Sequence, residues 1–332
     1  MAEVGVALLT FAPVPTRDFV SLGRCAEEQG YAACYTTESL TDTLSIDLAI
    51  LLGTSRIRVG SFVTISYLRH PVIAAQMATT ASDLSGGRFV LGIGLGHRVR
   101  LEALGVPVGK PSVDLPAYVR QVKEVLAGRG KELYPDLPPQ SYQGRLLDFR
   151  TPEHRVPVYT AAVGPAMAEA GAVVSDGVMV WLVPHAGIGE LVAAAARAGE
   201  RTGRAAPPVE VSVHAFVGDD LDAARESARS SLSYWVGLPA YNSALARAGY
   251  QGEAARIATA FRAGDTDALR AAISDRLIDE YCLVGPAARC RDQLDRWHDT
   301  DVATVALVPH PVLPGEDYTA GVERSLRALA PS

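Results

Sequence analysis

Residues 54–96 read TSRIRVGSFVTISYLRHPVIAAQMATTASDLSGGRFVLGIGLG, and their pattern decides the fold. Ile57–Thr64 is a β-rich run. Pro71–Leu84 follows with the spacing of an amphipathic helix. Ser85-Gly86-Gly87 then turns the chain into a second apolar run, Phe89–Ile93, which ends in alternating glycines. A strand, a helix and a strand in that order put the two strands parallel, because a parallel crossover needs a dozen residues or more. A flat ligand could approach bare backbone at the ends of both strands.

Outward from this unit the same alternation continues. Before it come a strand at Val4–Phe11, a helix near Asp18–Gln29 stopped by Gly30, a strand at Ala32–Thr36 and a short helix at Ile46–Leu52. After it come a helix at Asp114–Leu126 with Pro116 in its first turn, and strands at Val158–Ala161, Gly177–Leu182 and Glu210–Val217. Helices at Pro165–Val174, Gly187–Thr202 and Leu221–Trp235 follow those three strands in turn. Pro286–Trp297, a last strand at Thr304–Val308 and a closing helix near Tyr318–Leu329 complete the pattern. Eight strands, each followed by a helix, predict a (β/α)8 TIM barrel. A doubly wound sheet would carry its glycine fingerprint on the first strand, whereas here the glycines follow the fourth. Two segments break the rhythm. Residues 128–157 suit a small hairpin turning at Gly144, and residues 236–280 look helical and irregular. The chain is expected to be one domain, 1–332, with both insertions over the C-terminal mouth.

Composition narrows the function. A net charge of −6 lacks the basic stripe a nucleic-acid surface needs. No apolar run is long enough to span a bilayer, and no basic-then-apolar signal opens the chain, so a soluble, cytoplasmic protein is expected. The four cysteines form no C-x-x-C pair, which favours buried reduced thiols. The seven histidines form no H-E-x-x-H and no i, i+4 pair, so no metal is expected. No G-x-S-x-G elbow is present either.

In a barrel the chemistry sits where strands end at the C-terminal face. Gly92–His97 fails the dinucleotide register, and tight packing explains its glycines as well as ligand approach does. His97 follows that turn directly, and an ordinary imidazole pKa of about 6.5 suits proton transfer. His70, at a helix start, reads as a cap or packing residue. Ala162–Met167 joins a strand to a helix with Gly164 at the turn and Pro165 at the first helical position, leaving backbone N–H groups free for an anion, although any such loop looks similar. Glu38 and Ser39 close the second strand. A carboxylate there could act on a ring or serve as a base, but a solvated loop acid explains it too. Trp181 stands where the sixth strand ends.

Taken in order, CAEEQGYAACYTTES, RIRVGSFVT, YLRHPVIAAQ, LSGGRFVLGIGLG, SYQGRLLDF, VPVYTAAVGPAMAEAGAVVSDGVMV and LVGPAARCRDQLDRW resemble successive blocks of the bacterial-luciferase-like family. Members bind reduced flavin or the deazaflavin coenzyme F420. The resemblance implies a non-proline cis peptide at Phe62–Val63 backing the ring, with Thr64 beside it. It implies ring and side-chain contacts from Glu38, Gly94, Leu95, Gly96, His97 and Trp181, and a phosphate site at Ala162, Gly164, Pro165 and Ala166. Two departures count. Ser39 stands where the sugar-phosphate dehydrogenase branch has a catalytic histidine, and Pro184 where it has a phosphate-holding lysine. A sugar phosphate is therefore not the expected substrate. His97 replaces that branch's acidic proton donor, so His97, Glu38 and Ser39 are the catalytic candidates. The implied function is an F420-dependent reductase or dehydrogenase of a small organic metabolite, working as a homodimer. The alternatives are an FMNH2-dependent monooxygenase and a barrel that binds cofactor without turnover.

Overall fold

Among the described residues, ten strands form one parallel sheet: β1 Glu3–Leu8, β2 Ala33–Thr36, β3 Arg58–Ser61, β4 Thr64–Ile65, β5 Phe89–Gly94, β6 Val158–Ala162, β7 Gly177–Val180, β8 Val209–Val217, β9 Cys282–Gly285 and β10 Thr304–Pro309. This is a computed structural model, and it describes residues 1–11, 14–133, 148–313 and 315–331. β10 pairs with β1 (Glu3 opposite Thr304) and with β8 (Glu210 opposite Thr304), which closes the sheet into a barrel of eight staves. β3 and β4 make one interrupted stave, since both lie against β5. The expected (β/α)8 architecture is what the chain adopts.

Strand alternation divides the core into two layers. Along β8, Val209, Val211, Val213 and Ala215 join the large cluster between sheet and helices. Glu210, Ser212, His214 and Phe216 alternate with them and are all buried on the other face. Ala7, Leu9, Tyr35, Phe62, Met179 and Val308 pack together as the inside of the barrel. Residues lying even-and-odd along each stave thus decide what faces the lumen.

The helices cover the outside as the patterns predict, with local differences. The first strand stops at Leu8, short of Phe11, because the Leu9 amide donates to Tyr318 Oη at 3.2 Å and the Thr10 amide to Thr37 Oγ1 at 3.3 Å. The helix expected from Asp114 begins at Pro111, where the Val113 and Asp114 amides both turn back to the Lys110 carbonyl at 2.9 Å. Pro116 therefore sits inside the helix, and the Ser112 carbonyl lacks its usual amide partner. A short helix, Arg98–Ala103, directly follows His97. The helix after β2 starts earlier than its apolar run, at Thr43. The hairpin expected around Gly144 lies outside the described residues.

Between β8 and β10 the chain forms helices Pro239–Arg247, Gln251–Ala263, Thr266–Ala271 and Asp275–Tyr281, then the short strand β9. β9 lies parallel to the upper part of β8, with His214 opposite Cys282 and Val217 opposite Gly285. Its four residues, CLVG, are too few to show a strand period between two helical patterns. All four cysteines are free and buried. Among the described residues no helix is long and apolar enough to cross a membrane.

Candidate active site

The break between β3 and β4 falls on Phe62–Val63, and that peptide bond is cis. Phe62 packs inside the barrel, its ring centroid 5.6 Å from Tyr35 and 5.9 Å from Trp181. Val63 leans on β5. A Cβ at Gly94 would come within 2.3 Å of Val63 Cγ2, and one at Gly92 within 2.0 Å of the Ser61 carbonyl oxygen. The alternating glycines of β5 thus let the broken stave approach, which is the packing reading of that motif. Gly96 differs, because its φ of 76° makes it the turn that carries the chain from Leu95 to His97.

Glu38 is not free at the end of β2. Its Oε2 accepts from Thr64 Oγ1 at 2.6 Å and from the Ile65 amide at 2.5 Å, while Oε1 accepts from Arg69 Nη2 at 2.8 Å. Arg69 also donates to Thr64 Oγ1 and to Asp42 Oδ1, at 2.8 and 2.7 Å. The side chains of Glu38 and Arg69 are only 8% and 14% exposed. The carboxylate therefore braces β4 immediately after the cis bond, and its oxygens are already committed. Ser39 contributes its carbonyl to Arg100, which ties the end of β2 to the helix after His97.

His97 is half-buried under two aromatic rings, 5.2 Å from Trp235 and 6.0 Å from Tyr241. Burial, helped by the nearby Arg100 guanidinium, lowers its pKa below the ordinary imidazole value. At neutral pH it is therefore an uncharged ring, able to donate or accept a hydrogen bond. Trp181 lies across the mouth, 6.2 Å from Trp235 and 5.4 Å from His214. The next residue, Leu182, has a left-handed φ of 48° and donates its amide to Ser212 Oγ at 3.1 Å. A buried leucine held in that conformation is an unfavourable arrangement that turns the chain sharply beside Trp181.

At the end of β6, Gly164 caps the helix Pro165–Ala172, and the Met167 and Ala168 amides return to its carbonyl. The Ala166 amide precedes them in the exposed first turn. Arg247, from the helix Pro239–Arg247, donates to the Val163 carbonyl at 3.3 Å, and a Cβ on Gly164 would meet its Nη2 at 3.0 Å. A guanidinium thus lies over a helix N-terminus, an arrangement that attracts an anion from two sides. Ala162 is buried beneath it.

Residues 2–304 match the luciferase-like monooxygenase family. The chain belongs to that family. It is 26% identical over 296 residues to a 5,10-methylenetetrahydromethanopterin reductase of Methanolobus tindarius, covering 88% of this chain and 90% of that one. Its fold is shared with the coenzyme F420 dependent tetrahydromethanopterin reductase from Methanopyrus kandleri, with a TM-score of 0.79 and 20% identity over 99% of this chain and 97% of that one. It is shared as well with the monooxygenase RslO1 from Streptomyces bottropensis, at a TM-score of 0.69 and 18% identity over 99% and 97% of the two chains.

Against this luciferase-like background, the structure brings together residues that motif reading did not select. His214 on β8 and His310 just past β10 share a hydrogen bond of 2.9 Å between His214 Nδ1 and His310 Nε2. His214 Nε2 is buried and has no partner among the described residues. Alternation along β8 already puts His214 on the Glu210 face, and His310 lies two residues past the lumen-facing Val308. That period-two signal was readable. Arg247 was not, since nothing in its helix announces that it returns to Gly164.

Proposed function

We propose that this protein is a coenzyme F420-dependent oxidoreductase acting on a small organic metabolite. The reading is supported most by an apolar, aromatic mouth and a helix N-terminus with Arg247 beside it, both following strand ends. Phe62, Val63 and Trp181 offer the flat apolar surface a deazaflavin ring needs. Gly164, Pro165 and Ala166 with Arg247 offer the tail's phosphate two kinds of donor. The naming of relatives as methylenetetrahydromethanopterin reductases and of a fold neighbour as F420 dependent supports the same choice.

When bound, the deazaflavin supplies or takes up a hydride, and the chain does the rest. Gly94, Leu95 and Gly96 let the ring approach backbone, with Thr64 and Glu38 fixing the stave behind it. Trp235 and Tyr241 keep water from the mouth. Neutral His97 hydrogen-bonds ring or substrate, and Ser39 holds the neighbouring turn. Orientation of this kind can contribute about 7–11 kcal/mol to lowering a barrier at best.

The protein acts in the cytoplasm as one domain, residues 1–332, and as a homodimer. Exposed Leu52, Ile73 and Leu84 on the neighbouring helices Thr43–Gly53 and Pro71–Ser85 support the pairing face. A reduced-FMN monooxygenase is the second reading, favoured by the likeness to RslO1. Titration with oxidised F420 and with FMN separates the two. Saturable quenching by F420, weakened in Arg247→Ala, is the expected result, and tight binding of FMN alone overturns the proposal.

A further inference from the structure

We propose that His214 and His310 form a neutral two-histidine proton relay for the substrate, which is then a compound whose C=O or C=N bond becomes C–OH or C–NH. This rests on the hydride-transfer reading above and extends it to the group that moves the proton.

Two of the motif-derived candidates are poorly placed for that step. Glu38 is committed to Thr64, Ile65 and Arg69. His97 is packed under Trp235 and Tyr241 and hydrogen-bonds no second titratable side chain among the described residues. By contrast, His214 is 1% exposed, and one of its nitrogens has no partner among the described residues. Leaving a buried polar atom unpaired costs about 1–3 kcal/mol, so such an atom asks for an occupant.

The pair is held stiffly. Phe216 stacks on His310 at 4.3 Å and 13°, and the edge of Trp181 meets His214 at 5.4 Å and 72°. The His310 amide donates to the Ala215 carbonyl at 2.9 Å, which fixes the backbone beside it. Burial disfavours the charged form of both rings. A neutral pair can satisfy the 2.9 Å bond in two ways. If His310 Nε2–H donates, His214 must carry its proton on Nε2 and offers a donor to the lumen. If His214 Nδ1–H donates, Nε2 is bare and offers an acceptor. One site thus serves a carbonyl or imine in one state and an alcohol or amine in the other.

In the reducing direction, a bound reduced deazaflavin would supply the hydride for the new C–H bond, leaving the substrate's oxygen or nitrogen with the π pair and in need of a proton. That atom takes the proton from His214 Nε2. His214 Nδ1 takes one from His310 Nε2, and His310 Nδ1, at the half-buried rim, takes the balancing H+ from hydronium or a buffer acid in the solvent. Both rings end neutral with their tautomers exchanged, so no charge is left in the lumen. Oxidation reverses each transfer.

The test uses the full chain labelled with 15N in histidine, as native protein and as His310→Gln, which keeps a side chain able to hydrogen-bond but cannot pass a proton through. Long-range 1H–15N spectra at pH 7 should show both rings neutral and exchanging between the two tautomer pairs. Either ring found as imidazolium, or His214 locked in one tautomer, overturns the relay. Reduced F420 with acetone, cyclohexanone and 1-pyrroline as probes gives the second readout. His310→Gln should lower kcat on the order of 100-fold and straighten a curved proton inventory, with KM and the Kd for oxidised F420 within about threefold of native. An unchanged kcat, or a native protein that binds F420 yet reduces none of the probes, overturns the proposal. A native protein that fails to bind F420 overturns the deazaflavin reading instead, and the ring spectra then decide the relay alone.

Discussion

Replacing Glu38 with Gln separates a brace from a base. The carboxylate accepts one hydroxyl, one amide and one guanidinium donor, and both members of its ion pair are mostly buried. Gln keeps one acceptor oxygen, enough for the Ile65 amide, but turns an NH2 group toward Arg69 or Thr64. Removing one partner of a fully buried pair costs about 3–5 kcal/mol. That range must be lowered here, because Arg69 retains Asp42 at 2.7 Å and Asp42 is 45% exposed. A loss of about 2 kcal/mol is expected. Urea unfolding of native, Glu38→Gln, Arg69→Met and the double variant should give it, with a coupling of about 1–2 kcal/mol between the two sites. A loss below about 0.5 kcal/mol, the size of an exposed ion pair, would refute the bracing role.

Gly94→Ala should destabilise the protein by about 1–3 kcal/mol and weaken F420 binding, because the new methyl would collide with Val63; calorimetry and a fluorescence titration read the two effects. His97 should titrate below its ordinary value in 15N spectra, and Trp235→Ala should move it upward as burial is relieved. Three backbone amides, of Ser55, Arg56 and Ile57, donate to Glu27 and outweigh its burial, which lowers its pKa to about 2 from an ordinary 4.5. A depressed carboxylate pKa adds stability above pH 4.5 that disappears as the pH falls toward 2. Urea midpoints of native protein and Glu27→Gln should therefore differ at pH 7 and converge near pH 2; a gap that persists there would contradict the cause.

The barrel was legible because its signal repeats. Each stave carries an apolar run, each crossover a helical period, and eight consistent copies leave little room for another topology. The break at Phe62–Val63 came from family resemblance, since nothing in RIRVGSFVT marks a cis bond. Boundaries failed where side chains rather than ladders took the backbone amides, as at Leu9 and Thr10. Glu38 was visible as an acid at the mouth, but its partners Thr64 and Arg69 lie across a turn whose direction only the fold sets. Arg247 and Gly164 meet across a gap of more than eighty positions, beyond any local pattern. His214 shows the opposite case, a residue whose lumen face follows from counting by twos.

The rung between β8 and β9 gives the helical roof a fixed doorway. The chain leaves the barrel after Val217 and comes back at Cys282, opposite His214, so the excursion departs from and returns to the upper part of one stave. The entropy of tethering such an excursion grows only with the logarithm of its length. Evolution can therefore lengthen, trim or exchange that cassette without renegotiating the staves beneath it, and substrate choice can drift while the redox floor stays put.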